Sequence, residues 1–398
     1  MNNPEPVIVV GAGPVGLVCA LRLAQAGVPV QVLEAEDTFP QDLRASTFHP
    51  PTLDMLDELG VGRDFIRLGK QAPFWQILDL ELDLRVRFDM QAIKADTSHP
   101  YRLQCEQYKL TPLLFEHARA TRLVDLTLGA KVVEVTQSAE FAEVVYEERG
   151  ETRRKKARYV IGADGAHSVV RRSLGLPLEG ATYPSVTILI TTPFAFEDHL
   201  PGVAAANYLW TKTDAGSLFH LPSEWRATFY PREGETDETM LSDEAVQERM
   251  HGLCDIAGDY AIREKRPYRI HQRIVPDYRV GRIVLAGDAA HLNAPTGGMG
   301  MNGGIHDAFN LTDKLKRVLK GEDDRLLDLY TRQRRPVALE EIIQQADQNR
   351  RRMQTRDPEK RRSVIENFQK MASDPDALRG FVLKSSMIEG LRRAAAIT

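Results

Sequence analysis

The sequence predicts an α/β protein: a parallel-sheet domain assembled from distant stretches of chain, an antiparallel-sheet domain inserted into it, and helices at the C-terminal end. Three observations carry this. The short, mainly apolar runs at 7–10, 159–162 and 282–286 have the composition of strands buried on both faces. The blocks between them alternate apolar and polar residues, as antiparallel strands with one solvated face do. After Gly303 the pattern is helical to the end.

In chain order, Val7-Ile8-Val9-Val10 reads as the first buried strand, followed at once by glycines. Leu17, Ala20, Leu21, Leu23 and Ala24 then fall at helical spacing up to Gly27, a C-cap residue. Val30 to Glu34 is the next strand, which completes a right-handed βαβ unit. Residues 50–60 form a helix opened by prolines and closed by glycine. From Trp75 to Tyr101, Ile77, Leu78, Leu80, Leu82, Leu84, Val86 and Phe88 are interleaved with polar residues, which predicts antiparallel strands. A helix follows at 107–120, strands at 131–136 and 141–147, and strand-like, aromatic-rich sequence at 183–231. The expected division is 1–72, 102–180 and 268–330 for the parallel-sheet domain, 73–101 and 181–267 for the inserted domain, and 331–398 for the helical region.

Composition excludes several classes. In 398 residues, 52 basic against 56 acidic side chains give a net charge of −4, not the balance of a general nucleic-acid binder. Three scattered cysteines, Cys19, Cys105 and Cys254, cannot form a disulfide framework or a Cys-rich metal site, and they suit a reducing, cytoplasmic compartment. The apolar stretch from Val7 to Leu21 lacks a basic leader and is broken by glycines, so it reads neither as an export signal nor as a membrane span. The ten histidines show no HxH or HExxH spacing, and no metal site is expected. The run Arg350-Arg351-Arg352, with Arg356, Lys360, Arg361 and Arg362, reads as a solvated helix face.

Three motifs carry chemistry. Gly11-Ala12-Gly13-Pro14-Val15-Gly16 is GxGxxG between a strand and a helix, which makes the first domain Rossmann-like. Its glycines serve a tight turn, close approach to a pyrophosphate, and close packing of helix on strand. Glu34, at the end of the second strand, is placed to bond a ribose hydroxyl and to repel a 2′-phosphate. Asp164-Gly165 directly after the second buried strand puts another carboxylate near a phosphate or ribose edge, although Asp-Gly alone is commonly a plain turn. Gly287-Asp288 after the third, with Pro295, Gly297, Gly298, Gly300, Asn302, Gly303 and Asp307, makes a glycine-dense loop leading into a helix, where something presses against backbone.

In this order and spacing the motifs resemble the FAD-dependent aromatic hydroxylases, typified by para-hydroxybenzoate hydroxylase, over nearly the whole chain. The resemblance implies a glutathione-reductase-type (GR2) FAD-binding fold and FAD held without a covalent link. It places the ADP half on Gly11, Ala12, Gly13, Pro14, Val15 and Gly16, with Glu34. It assigns Asp164 to the flavin dinucleotide and NAD(P)H, Asp288 to the ribityl chain, and Arg44 to a mobile loop beside the flavin. Gln107 reaches the cofactor, Pro295 stands beside the isoalloxazine, and Gly298, Gly300, Met301 and Asn302 lie under its pyrimidine edge. Ser46 stands where the family usually has glycine after Arg-Ala. The implied reaction runs from NAD(P)H to FAD to O₂, with a flavin C4a-hydroperoxide delivering hydroxyl to an electron-rich ring. A homodimer is common in the family.

The substrate side is read more thinly. His220, on a strand of the inserted sheet, has the pKa class of a proton relay and is the candidate base. His49, Tyr208, Trp210, Arg226 and Tyr230 are pocket candidates, each of which could equally be core, and His291 is expected to act through structure. The leading expectation is hydroxylation of a small aromatic or heteroaromatic ring, phenolic or carboxylated. The alternatives are a larger polyketide- or quinone-like ring and a flavin-binding protein without turnover. Halogenation is disfavoured, since no Trp-x-Trp-x-Ile-Pro segment is present.

Overall fold

The three apolar runs, far apart in the chain, lie side by side. In a computed structural model describing residues 5–41, 45–294 and 297–398, Val7–Val10 pairs in parallel with Tyr159–Gly162, which pairs in parallel with Ile283–Leu285. Val30–Leu33 and then Val124–Thr127 extend the sheet on the other side, and Arg279–Val280 closes it antiparallel, giving six strands. Every residue of Val7–Val10, Val30–Leu33 and Tyr159–Gly162 is buried. Full burial of one such Val or Ile contributes roughly 1.5–3 kcal/mol, which is why these strands read as continuous apolar runs. The helix Pro14–Gln25 packs against the helices Met299–Leu319 and Leu110–Ala120. Its first residue is proline, tolerated where no N–H is needed.

A meander of Ala130–Gln137, Ala142–Glu148 and Glu151–Ala157 adds Val132, Val135, Val144 and Tyr146 to the same core. Its last strand, Glu-Thr-Arg-Arg-Lys-Lys-Ala, escapes a hydrophobicity pattern because it is an exposed edge strand. Arg154 bonds Glu143 and Arg153 bonds Glu148 on the neighbouring strand. A small sheet orders Thr47–Phe48, Arg102–Gln104 and Lys70–Ala72 side by side.

The large sheet has eight strands in the order His291–Leu292, Glu264–Ile274, Glu179–Thr192, Trp225–Phe229, Ala215–His220, Ala206–Trp210, Phe74–Asp79, Leu84–Asp89. The region 75–101, expected to be antiparallel throughout, departs from that in two ways. Phe74–Asp79 pairs in parallel with Ala206–Trp210, and Leu80 and Leu82 fall in the turn between Phe74–Asp79 and Leu84–Asp89.

Each face of this sheet has its own cover. Leu78, Ile188, Ile190, Leu209, Leu218, Trp225, Ala227 and Phe229 share one cluster with Val246, Met250 and Leu253 of the helix Asp243–Leu253. Trp75, Ile77, Val86, Phe88, Tyr208 and Trp210 share another with Ile365, Val382, Leu383 and Ile388 of the last three helices. Arg361, within the basic run, is buried rather than solvated: its Nε lies 3.1 Å from Asp79, and its Nη2 bonds Glu81. Removing one partner of such a buried pair costs about 3–5 kcal/mol. That pair holds the C-terminal helices on the sheet.

Candidate active site

The GxGxxG glycines are not interchangeable. Gly11 has φ +100°, and a Cβ there would lie 2.5 Å from the Ala163 carbonyl oxygen. At Gly16 a Cβ would come within 2.0 Å of the Gly11 carbonyl oxygen, so both glycines are fixed by backbone contact. Gly13 differs, because a Cβ there meets no protein atom within 4 Å. Gly13 is also the N-cap of Pro14–Gln25, and no side chain caps that helix. The Val15 and Gly16 N–H groups are therefore left without an intrahelical acceptor, at the positive end of the helix dipole. Glu34 closes the turn: Oε2 accepts from the Ala12 N–H at 2.6 Å and Oε1 from the Glu36 N–H at 3.0 Å. Its carboxylate thus stands at the end of the second strand with lone pairs left for hydroxyl donors.

The bonds of Asp164 lie inside its own loop. Oδ1 accepts from the Ser168 hydroxyl at 2.5 Å, and Oδ2 from the N–H groups of Val169 and Val170 at 2.7 and 3.1 Å. Burial pushes its carboxyl above the usual range against these bonds. The loop is tied onward by Arg171, which donates to the carbonyls of Ala166 at 3.0 Å and Ala289 at 3.2 Å. The turn Gly287–Ala289, carrying half-buried Asp288, is anchored from below. Its Gly287 N–H donates to Asp307 at 3.2 Å, and Asp307 also meets His291 and Arg334, each at 2.7 Å. The structural part expected of His291 is this one.

Arg44 and Pro295 lie outside the described residues. Gln107 is half-buried, and its N–H donates to the Ala45 carbonyl at 2.9 Å. The helix Met299–Leu319 opens at Gly298, φ +68°, again without a side-chain cap. A Cβ at Gly300 would lie 2.6 Å from Asn293 Oδ1, and Met301 is partly buried against the core. Asn302 gathers this loop: Nδ2 donates to the carbonyls of Thr47 at 2.8 Å and Gly298 at 2.6 Å, and Oδ1 accepts from the His49 N–H at 3.0 Å. The His49 ring turns to the same loop, with Nε2 2.8 Å from the Gly297 carbonyl. A carbonyl only accepts, so Nε2 carries the hydrogen and Nδ1 is a bare lone pair. Burial, helped by the nearby Arg102 charge, lowers the pKa of His49 to about 3. The ring is neutral.

Strand pairing sorts the remaining candidates. Phe219 is opposite Arg226 and His220 opposite Trp225, while Ala206 is opposite Phe219. Successive side chains alternate faces, so Tyr208, Phe219 and Arg226 share one face of the large sheet and His220 lies on the other. There His220 stacks on Trp225 at 4.2 Å between centroids, with Lys70 Nζ 2.7 Å from Nδ1 and Glu197 at 3.6 Å. Burial and then Lys70 lower its pKa, while Glu197 raises it. The structure therefore does not bring His220, the candidate base, onto the face that carries Tyr208 and Arg226. Trp210 is likewise core, with its indole N–H donating to the Met353 carbonyl at 2.7 Å, and Tyr230 is buried in the same cluster. Arg226 is buried on the Tyr208 face, where burial works against its charge.

Residues 5–346 match the family model described as FAD binding domain. The chain is 33% identical over 402 residues to para-nitrophenol 4-monooxygenase of Pseudomonas sp. (strain WBC-3), covering 98% of each chain. The chain belongs to the FAD-dependent aromatic monooxygenases. It is also 33% identical over 408 residues to 6-hydroxy-3-succinoylpyridine 3-monooxygenase of Pseudomonas putida (strain DSM 28022 / S16), covering 95% of this chain and 97% of that one. Among solved structures, p-nitrophenol 4-monooxygenase of Pseudomonas putida DLL-E4 superposes with a TM-score of 0.90 at 30% identity, covering 98% and 99% of the two chains.

The monooxygenase therefore uses FAD, and its own geometry fits that cofactor. The open face at Gly13 and two helix N-termini without side-chain caps suit an electron-rich dinucleotide. Sequence reasoning missed Arg102. It lies on the strand Arg102–Gln104, and the pairings Thr47↔Gln104 and Phe48↔Leu103 carry on to set His49 opposite it. No motif marks it. Among the described residues no helix is long and apolar enough to cross a membrane, and no group of three or more His, Cys, Asp or Glu side chains could hold a metal ion.

Proposed function

We propose that the enzyme takes reducing equivalents from NAD(P)H and uses O₂ to hydroxylate a single phenolic or carboxylated aromatic or heteroaromatic ring. The observation that carries this is a continuous path of contacts. The loop at Gly297 bonds the neutral His49, and His49 stands across from Arg102, which meets Tyr208 and Trp75. A few polar groups set among aromatic side chains suit one small ring. The relatives' names, a nitrophenol and a hydroxypyridine monooxygenase, support the same class.

Within this reading the Gly11–Gly16 turn holds the pyrophosphate, Glu34 the ribose, and Asp288 the ribityl chain, with Gly298–Asn302 against the flavin ring. The bound flavin supplies the activation of O₂, which side chains cannot provide. The chain supplies the rest: helix N-termini for negative charge, and an aromatic wall that excludes water. The three cysteines are free thiols, which supports a reducing, cytoplasmic setting. A homodimer belongs to the reading through the family resemblance alone.

The test is a panel of substituted phenols, hydroxypyridines and aromatic acids, scored for stimulated NAD(P)H oxidation and for the hydroxylated product by mass spectrometry. Turnover of single-ring compounds is expected. Product formed only from multi-ring substrates, or none from any ring, would overturn the assignment.

A further inference from the structure

Arg102 is the residue that the FAD-binding role leaves unexplained. It is 3% exposed, and among the described residues no carboxylate is ion-paired with it. Its guanidinium lies 4.6 Å from the Trp75 ring centroid, faces the Tyr208 side chain, and reaches the Ser385 carbonyl at 3.5 Å. Its Nε has no hydrogen-bond partner. Buried charges in proteins are normally paired, and a buried guanidinium facing only a ring, a hydroxyl and a carbonyl lacks its counter-charge.

Nearby polar atoms share this state. Trp75 Nε1, His49 Nδ1 and Gln104 Nε2 are buried without a hydrogen-bond partner among the described residues. Trp75 lies under the guanidinium, Gln104 is two residues along the same strand and so on the same face, and His49 is opposite. Three of these four atoms are donors: the Arg102 Nε–H, the Trp75 indole N–H and the Gln104 amide. The fourth, His49 Nδ1, is an acceptor on a ring that stays neutral. The titratable side chains set against Arg102 are therefore Tyr208 and His49, and no carboxylate is among them.

We propose that Arg102 is the counter-charge for an oxyanion carried on the substrate ring, so that the enzyme selects phenolates or aromatic carboxylates over neutral rings of the same shape. This rests on the single-ring reading above. A fixed positive charge within about 4–6 Å lowers the pKa of an acid by roughly 1–3 units. A phenol whose free pKa lies within about 1–3 units above the ambient pH would thus ionise on binding, its proton leaving to solvent rather than to His49, whose ring holds a proton poorly.

Binding is measured on the oxidised holoenzyme, without turnover, by perturbation of the flavin spectrum. The ligands are a phenol, its O-methyl ether, and the matching benzoate with its amide. A phenol with a pKa about 1–2 units above the buffer pH is expected to bind with the phenolate absorption band and to release a proton to an indicator dye. The ether should bind at least tenfold more weakly. Arg102→Gln should lose proton release and most of the discrimination, at unchanged FAD content, whereas Arg102→Lys should retain proton release. The phenol and benzoate arms decide which oxyanion is preferred. Binding of phenol in its neutral form, or equal affinity for phenol and ether and for benzoate and amide, would overturn the role of Arg102 while leaving the substrate class intact. This holds for wild-type protein alone, should Arg102→Gln fail to fold. If no single ring perturbs the flavin at all, both readings fall.

Discussion

Arg334 Nε lies 2.7 Å from Asp307 Oδ1, and neither side chain is exposed. The other oxygen of Asp307 takes His291 and the Gly287 N–H, so one buried carboxylate ties the helix Met299–Leu319 to the turn that carries Asp288. Burial pushes its carboxyl up, but Arg334 and His291 outweigh burial and hold it below the usual aspartate range.

Asp307→Ala should therefore destabilise the fold by about 3–5 kcal/mol, because it leaves a guanidinium buried alone. It should also loosen the Asp288 turn, so that the purified variant carries less FAD. The sign of the pH effect follows from the lowered pKa. The stabilisation is present above the unfolded aspartate value of about 3.9 and is lost as pH falls through the folded one. Urea melts and the flavin-to-protein absorbance ratio read both effects. Normal flavin occupancy with unaltered stability would refute the anchoring role.

The glycine geometry separates cofactor binding from folding. Gly13→Ala meets no protein atom, and its φ of −69° suits any residue, so the apoprotein should keep its stability within about 0.5 kcal/mol. The methyl would project where no protein atom stands, and FAD affinity should fall at least tenfold. Gly16→Ala is the opposite case, since its Cβ would lie 2.0 Å from the Gly11 carbonyl oxygen and the fold itself should suffer. Titration of FAD into refolded apoprotein, with melting curves alongside, distinguishes the two. Wild-type FAD affinity in Gly13→Ala would show that the pyrophosphate lies elsewhere.

The parallel sheet was legible because strands buried on both faces need uninterrupted apolar residues, and the runs at 7–10 and 159–162 match the strands residue for residue. The Glu151–Ala157 edge strand was not, because its stability comes from pairing with a neighbour rather than from burying its own side chains. The face that His220 takes was not legible either. Whether it or Phe219 faces the Tyr208 side depends on register, which one residue of slip inverts. Arg102 was invisible for a further reason: its significance is the lack of a paired carboxylate among the described residues, and only the packing of Trp75, Tyr208 and Ser385 around it shows that.

The neutral His49 makes the protein sensitive to mild acid. Its folded pKa of about 3 lies below the ordinary 6.5, so the unfolded chain takes up a proton that the folded one refuses. The resulting stability is complete above about 6.5 and is lost as pH falls towards 3, by up to about 1.4 kcal/mol per pH unit. His306, fully buried and bonded to Thr52 at 3.0 Å, is lowered by burial in the same direction and adds a second proton to the slope. His49→Gln should therefore remove one proton from the dependence of unfolding free energy on pH between 6.5 and 5, while leaving that of His306. Urea titrations at pH 7, 6 and 5 measure it. An unchanged slope in His49→Gln would mean that the ring is protonated in the folded protein, against the geometry of its bond to Gly297.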